Sequence, residues 1–487
     1  MNPTSWLDER LGLREVKRVL LDRKVPARLT WWHTLGSATL TVFLLLVVTG
    51  IVLATYYSAS PDHAYDSVRF TEEQVLGGSL LRGIHHWSAS AMVILILAHM
   101  IRVFSAGAYK YPREVNWLVG VGLFLVVMAF SFTGYLLPWD QKAYWATQVG
   151  VGMAGTTPLV GGILSSLLSG GDQLGAATLS RFFAFHVLWL PLSLGVLVLL
   201  HLTMVIRQGI AARPSDMERG APATTADPAY GEFYAKTYEA SKEEGRRFWP
   251  DVVAKDIIMS LGVVLVIVVL AWAFGSPLEA PADPSDTSYV PRPEWYFLPL
   301  YQLLKMVPGW AESLVAVGTP AAIILALLTL PFFDRRSSRS LTNRPFAIVS
   351  LTLILAGSGF LIGLSGREDV AAIAEEIGRP LSSMERAGIA TYKQQGCSDC
   401  HMIGEVGGDE GPDLSDIGLR HSIAWLHSFL EEPGRFRGTT DMPAYGPPNL
   451  SHQEVEELAR YLASLRGGAG PEVQPQYADT FPAPRGR

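Results

Sequence analysis

LLRGIHHWSASAMVILILAHMIRVF, residues 80–104, and RFFAFHVLWLPLSLGVLVLLHLTMVIR, residues 181–207, decide how this chain folds. Each is apolar over the roughly 20 residues a helix needs to cross a bilayer. Each nevertheless carries histidines at a matched interval, His85 and His99 fourteen residues apart and His186 and His201 fifteen. At 3.6 residues per turn, either interval returns close to the same helix face after about four turns, or about 21 Å of rise. Ionisable groups at membrane depth are costly and mark function, and two matched spacings on two helices require a common cause. If the two helices run antiparallel side by side, their imidazoles fall into two levels, one near each side of the bilayer.

A pair of imidazoles at each level suits haem, whose iron takes two axial ligands and receives the other four from its ring. A single histidine in an apolar helix is often a satisfied core residue; the repetition argues against that here. Gly36 and Gly50 on the first apolar run, and Gly120 and Gly134 on the third, repeat the fourteen-residue interval. A residue without a side chain lets a flat ligand approach the backbone, although small residues also promote plain helix packing. Arg82 and Arg102 stand three residues from His85 and His99, where each could pair with a porphyrin propionate. Snorkelling to the headgroups is an equally good role for Arg102.

The chain has 487 residues, 49% hydrophobic and 17% charged, the balance of a membrane protein with a soluble part. A net charge of −6 argues neither for nor against nucleic acid, and none is expected as a partner. With two cysteines, Cys397 and Cys400, the chain has no disulfide framework and too few thiolates to hold an iron–sulfur cluster by itself. Residues 1–30 are charged and do not read as a signal peptide. Their SWLDERLGLREVKRVLLDRKV predicts an amphipathic helix on the membrane surface, with Trp6, Leu7, Leu11, Leu13, Val16 and Leu20 near one side; an ordinary helix packed on the same protein fits equally well.

Seven apolar runs are long enough to span, near 35–57, 79–104, 116–137, 180–206, 253–274, 315–333 and 346–364. The fold class is therefore all-α: a four-helix half over 31–210, a polar loop at 211–250 and a three-helix half over 251–366. The Gly- and Ser-rich stretch 141–170 reads as short helices across one face. Lys110, Arg113, Arg335, Arg336, Arg339 and Arg344 cluster in loops on the side of the N-terminus, which the positive-inside rule makes cytoplasmic. The opposite loop 275–292 has Glu279, Asp283 and Asp286 against Arg292. An odd number of spans delivers the C-terminus outside.

After a charged linker at 367–385, a small helical domain is expected over 386–466. It contains CSDCH, with Cys397, Cys400 and His401. C-x-x-C-H is the c-type haem attachment pattern, thiols on the vinyl groups and histidine on the iron. A thioredoxin-like pair or half a zinc site would need a βαβ pattern or a second C-x-x-C. Met442, in TTDMPAYG, is the expected sixth ligand, with His421 and His427 as competitors; a Met/His pair would raise the potential. Ser451 and Glu454 form a capping box before EELARYLASL. Residues 467–487 are rich in Pro and Gly and are expected to be disordered.

Residues 1–366 resemble the cytochrome b core of the quinol:cytochrome c oxidoreductases, the cytochrome bc and bf complexes. The resemblance rests on GIHHWSAS and AHMIR in the second span, FTGYLLPWDQ at 132–141, FHVLWLP with HLTMVIRQGI, and PEWY at 293–296. The fifteen-residue histidine interval and PLEAPADP at 277–284 are similar to the bf branch, whose b polypeptide is split into two subunits; here the parts are joined. The C-terminal domain looks like a class I cytochrome c.

The resemblance implies two non-covalent b haems, the outer on His85 and His186 and the inner on His99 and His201, beside one covalent c haem on His401 and Met442. It implies a quinol oxidation site near the outer haem, built from GYLLPW and PEWY, with Glu294 taking a proton and Tyr296 hydrogen bonding nearby. A quinone site at the inner haem would use Arg207, Lys255 and Asp256, the last two in a KDII that matches a family motif. One electron would cross the membrane through the b haems and the other would pass by a Rieske iron–sulfur partner to the c haem and a soluble acceptor, in a homodimer within a proton-translocating complex. Where the bf type binds an extra covalent haem through cysteine, this chain has Thr34 in WWHTLGS, so that haem is expected to be absent. A haem b anchor for a dehydrogenase or hydrogenase, or a tethered cytochrome c carrier, are the competing readings; neither needs PEWY.

Overall fold

The computed structural model describes residues 3–171, 173–284, 292–377, 381–403, 411–437 and 442–466. The tail expected to be disordered, part of the linker and Asp286 lie outside them. Among the described residues seven helices are long and apolar enough to cross a membrane: Trp31–Ala54, Gly78–Ser105, Glu114–Tyr135, Ala176–Gln208, Phe248–Phe274, Gly309–Phe333 and Pro345–Ser365. Each coincides with an apolar run in the sequence, because burying so many consecutive apolar residues in lipid requires a backbone that satisfies its own hydrogen bonds. Leu44, Val48 and Ile51 on the first span, and Leu192, Val196 and Leu199 on the fourth, stay exposed at helical spacing, as a lipid-facing stripe does.

The chain divides into two compact units, residues 1–282 with 303–358 and residues 283–302 with 359–487. In the first, the histidine helices do not run antiparallel. His85 faces His186 and His99 faces His201, first with first and second with second, so the two helices point the same way. Each crossing reverses the chain, and one span intervenes between them.

One end of this unit is stitched together by cations that read in the sequence merely as charged loops. Lys110 is 1% exposed and donates from Nζ to Asp334 Oδ1 at 2.8 Å and to the carbonyls of Arg336 and Ser338. Burial brings its pKa down to about 8 in spite of that carboxylate. Arg344 caps the end of the second span through the carbonyls of Phe104 and Ser105 at 2.8 and 2.6 Å, and Arg113 caps the fourth through Gln208 and Gly209. Positive charge at helix C-termini is favoured by the helix dipole. Arg339 donates to the carbonyls of Gly107 and Tyr111 and to the Tyr230 hydroxyl. Burial alone would raise the Glu218 carboxyl, but the backbone N–H groups of Ser340 and Arg339 hold it low. The same end receives the N-terminal segment, where Lys24–Val25 pairs antiparallel with Arg246–Arg247.

Two local expectations change. The N-terminal amphipathic helix is two helices, Pro3–Leu11 and Leu13–Leu20, broken at Gly12 with φ +60°, a left-handed conformation that glycine adopts without steric cost. Within the 211–250 loop runs a helix, Tyr230–Glu243, whose Tyr230, Tyr234 and Tyr238 are buried against Met217 and Ala212. Three tyrosines at four-residue spacing were the available signal.

The second unit holds the C-terminal domain, with helices Ser383–Gln394, Ile417–Arg420, Ile423–Glu431 and His452–Ser464. They enclose Ile389, Trp425, Leu426, Val455, Leu458 and Leu462. Gly388 lets the first and last of these helices cross closely, since a Cβ there would lie 2.1 Å from the Glu457 carbonyl oxygen. The Ser451–Glu454 capping box forms as expected.

Candidate cofactor sites

At the level expected to be the outer one, the rings of His85 and His186 have centroids 6.4 Å apart and planes inclined by 66°. An imidazole nitrogen binds a transition metal at about 2.0–2.1 Å, so two rings facing one ion stand about 6.4 Å apart, and the gap fits a bis-imidazole iron. Each ring is also oriented. Thr49 Oγ1 donates to the Leu45 carbonyl at 2.7 Å and lies 2.9 Å from Nδ1 of His85. Its oxygen therefore accepts the Nδ1 proton, which leaves Nε2 as the ligand nitrogen. Thr133, bonded to the Ala129 carbonyl, does the same for His186 at 3.1 Å.

The inner pair has the same separation, 6.4 Å between His99 and His201. Here the residues preceding the matching glycines are Leu35 and Val119, and the buried Nδ1 atoms meet no threonine hydroxyl. The extra residue between His186 and His201 is absorbed by a π-helical turn, Phe185–Trp189, at the first histidine. A π turn takes one more residue than an α turn, so fifteen residues bring His201 back to the face that fourteen reach on the other helix. Pro191, without an N–H, follows this turn.

The four glycines stand opposite the four histidines, one to one. A Cβ at Gly134 would lie 2.5 Å from Cε1 of His186, at Gly50 3.2 Å from that of His85, at Gly36 3.3 Å from that of His99, and at Gly120 3.9 Å from that of His201. The space each glycine opens is taken first by an imidazole, which explains why glycine and histidine share an interval. Arg82 pairs with Glu72 and donates to the carbonyls of Ser276 and Pro277 at 3.0 and 2.9 Å, so its guanidinium closes the end of the fifth span. Arg102 lies within electrostatic reach of His99 and His33.

Beyond the outer pair, PWDQ and PLEAP meet. The Gln141 N–H donates to the Ala280 carbonyl at 2.9 Å, and Asp140 accepts from the N–H groups of Ala143 and Glu279. Burial pushes the Asp140 carboxyl up against the pull of those two bonds. Glu294 and Tyr296 belong to the second unit, half-buried where the chain turns into the helix Leu298–Lys305. Tyr296 packs edge-on against Trp295 and Phe297, 5.4 and 4.8 Å between centroids.

Near the inner pair, a small cleft is lined by Leu29, Thr30, His33, Arg246, Asp251 and Lys255, among others. Of the three residues expected there, Lys255 lines it. Asp256 instead accepts from the Ser37 hydroxyl at 2.8 Å, and Arg207 is exposed at the end of the fourth span. No local pattern marks His33, Arg246 and Asp251; the first is distant in sequence from the other two, and they are brought together beside the Lys24–Val25 and Arg246–Arg247 pairing.

In the C-terminal domain, His401 Nδ1 donates to the Pro412 carbonyl at 2.8 Å, which leaves Nε2 for a metal, the usual outer support of a ligating histidine. Cys397 and Met442 pack against the same core. The competitors are engaged elsewhere: His421 stacks on Trp425 at 3.6 Å between centroids, and His427 lies 3.7 Å from Glu431.

Stacked histidine pairs inside a membrane bundle, in one chain with a C-x-x-C-H domain, define a membrane cytochrome of electron transport. Residues 20–209 match the family described as cytochrome b/b6/petB, residues 281–384 that of cytochrome b(C-terminal)/b6/petD, and residues 386–466 cytochrome c. The menaquinol:cytochrome c reductase cytochrome b subunit of Geobacillus thermodenitrificans is 42% identical over 215 residues, 42% of this chain and 96% of the relative. Cytochrome b6 of Synechococcus elongatus is 40% identical over 207 residues, again 42% of this chain and 96% of the relative. A solved structure described as a hyperthermophilic respiratory Complex III superimposes with a TM-score of 0.63 at 29% identity, covering 74% of this chain and 90% of that one. The chain belongs to the cytochrome b/b6 family and carries a cytochrome c domain behind it. It is an integral membrane subunit of an oxidoreductase complex, with b-type and c-type haem implied by its domains.

Proposed function

We propose that this chain is the cytochrome b and c subunit of a proton-translocating quinol:cytochrome c oxidoreductase, working as a homodimer with a separate Rieske protein. The observation that supports it most is the pair of facing histidine levels in one bundle, each with a gap that fits a metal between imidazoles. Two b haems and one c haem, when bound, would supply one-electron transfer at each level and in the C-terminal domain. His85 and His186 would hold the outer haem, His99 and His201 the inner, and Cys397, Cys400, His401 and Met442 the third; no covalent haem is expected at Thr34. Arg102 would neutralise a propionate.

Glu294 would take a proton from quinol at the outer side, a task that suits a half-buried carboxylate in an aromatic setting. Tyr296 would help position the quinol. Lys255, His33 and Asp251 would bind and protonate quinone in the inner cleft, with Arg207 and Asp256 in support. The cation-rich end, with Arg335 and Arg336 in its loops, is assigned to the cytoplasm by the positive-inside rule, and the C-terminal domain to the outer side. Quinol:cytochrome c reductase activity blocked by an outer-site inhibitor, with pyridine haemochrome giving two b haems per c haem, tests the reading. Activity insensitive to that inhibitor would favour a haem b anchor or a tethered carrier instead.

The threonines give a finer test. A hydroxyl that accepts the Nδ1 proton makes the imidazole a stronger donor, which favours ferric iron and lowers the potential. Thr49→Val and Thr133→Val are each expected to raise the outer b haem by about 40 mV, the one-electron equivalent of a hydrogen bond worth about 1 kcal/mol. Redox titration should find the inner haem unmoved; equal shifts in both haems would refute this role.

A further inference from the structure

We infer that His427, Glu431 and His452 form a binding site for a divalent transition-metal ion of the Zn²⁺ class on the cytochrome c domain. His427 and Glu431 are one turn apart on the helix Ile423–Glu431, hence on one face. His452 opens the helix His452–Ser464 directly opposite. One ligand atom from each of the three lies within 4.8 Å of the others. The carboxylate sits between the imidazoles, Oε1 at 2.6 Å from Nδ1 of His452 and Oε2 at 3.7 Å from Nδ1 of His427.

In a tetrahedral zinc site, with bonds of about 2.0–2.2 Å, neighbouring ligand atoms stand about 3.4 Å apart. The side chain of His452 is 76% exposed, so it can swing the short distance that closes the site. Two imidazoles and a carboxylate select zinc and its neighbours over calcium or magnesium, which take oxygen ligands. The fourth position is left to water. The site shares no residue with Cys397, Cys400, His401 and Met442, and its ligands do not depend on how those residues are used.

An ion here would tie the end of one helix to the start of another, and the segment between them carries Met442. Tyr445 and Gly446, just after it, are already seated on the first helix, since the Tyr445 N–H donates to the Leu430 carbonyl at 2.9 Å and a Cβ at Gly446 would lie 3.3 Å from Glu431 Cα. The metal would hold both ends of the segment in place.

The test is calorimetric titration of Zn²⁺ into the haem-loaded full chain in detergent, with metal analysis after gel filtration. One ion is expected that the His427→Ala/His452→Ala double variant no longer binds. Loss of an outer-shell partner already costs about 10–100-fold in metal affinity, so Glu431→Gln is expected to weaken binding by at least about tenfold. An unchanged c-haem spectrum shows that the domain is folded, and His452→Ala alone carries the test if the double variant is not. Equal stoichiometry and affinity in wild type and variants, or no binding by the wild type, overturns the proposal.

Discussion

His186→Ala is expected to halve the b-haem content of the purified protein, leave the c haem in place and abolish quinol oxidation. The residue supplies one of two facing imidazoles at the outer level, and a haem held by His85 alone would lose an axial bond and the ring that lines its other face. Gly134→Val should act almost as strongly without touching a ligand, because a Cβ there would stand 2.5 Å from Cε1 of His186 and the added methyls would push that ring off the facing imidazole. Gly262→Val is the matched control, a glycine within the fifth span with nothing near its missing Cβ, and should retain full haem. Pyridine haemochrome and low-temperature visible spectra make the comparison. Full b-haem content in His186→Ala would remove the basis for the outer site.

Glu294→Gln is expected to slow quinol oxidation by about 10²-fold or more, the usual contribution of a positioned proton acceptor, with both b and c haem contents unchanged. Glutamine keeps the shape and loses the basicity. Glu294→Asp should recover part of the rate, since the carboxylate returns on a shorter arm. Steady-state reductase assays alongside haem counts separate this from a folding defect: slow turnover with normal haem supports the role, and wild-type turnover in Glu294→Gln eliminates it.

The spans, the histidine pairs and the C-x-x-C-H domain follow from local pattern. An apolar run of sufficient length in lipid has one backbone solution, and residues at a helical interval share a face wherever that helix goes. Antiparallel histidine helices would have to be consecutive spans; the span Glu114–Tyr135 lies between them, and the intervening crossing makes them parallel. The helix Tyr230–Glu243 was hidden inside a loop defined by its prolines, although its buried tyrosines kept a four-residue period.

From its sequence alone this protein is determined to be a seven-span helical bundle with imidazoles at two depths and a small haem-attachment domain behind it, because periodicity and spacing are properties of a single segment. Tertiary structure alone decided the rest. It set each glycine against one histidine, gave the outer imidazoles a threonine each and the inner ones none, absorbed the fifteenth residue in a π turn, and buried Lys110, Arg113, Arg339 and Arg344 as clamps. It also brought His452 to a helix end 21 positions earlier in the chain, at Glu431. The reason is common to all of these: they are relations between elements distant in sequence, fixed by which surfaces pack together, and no periodicity within one segment encodes them.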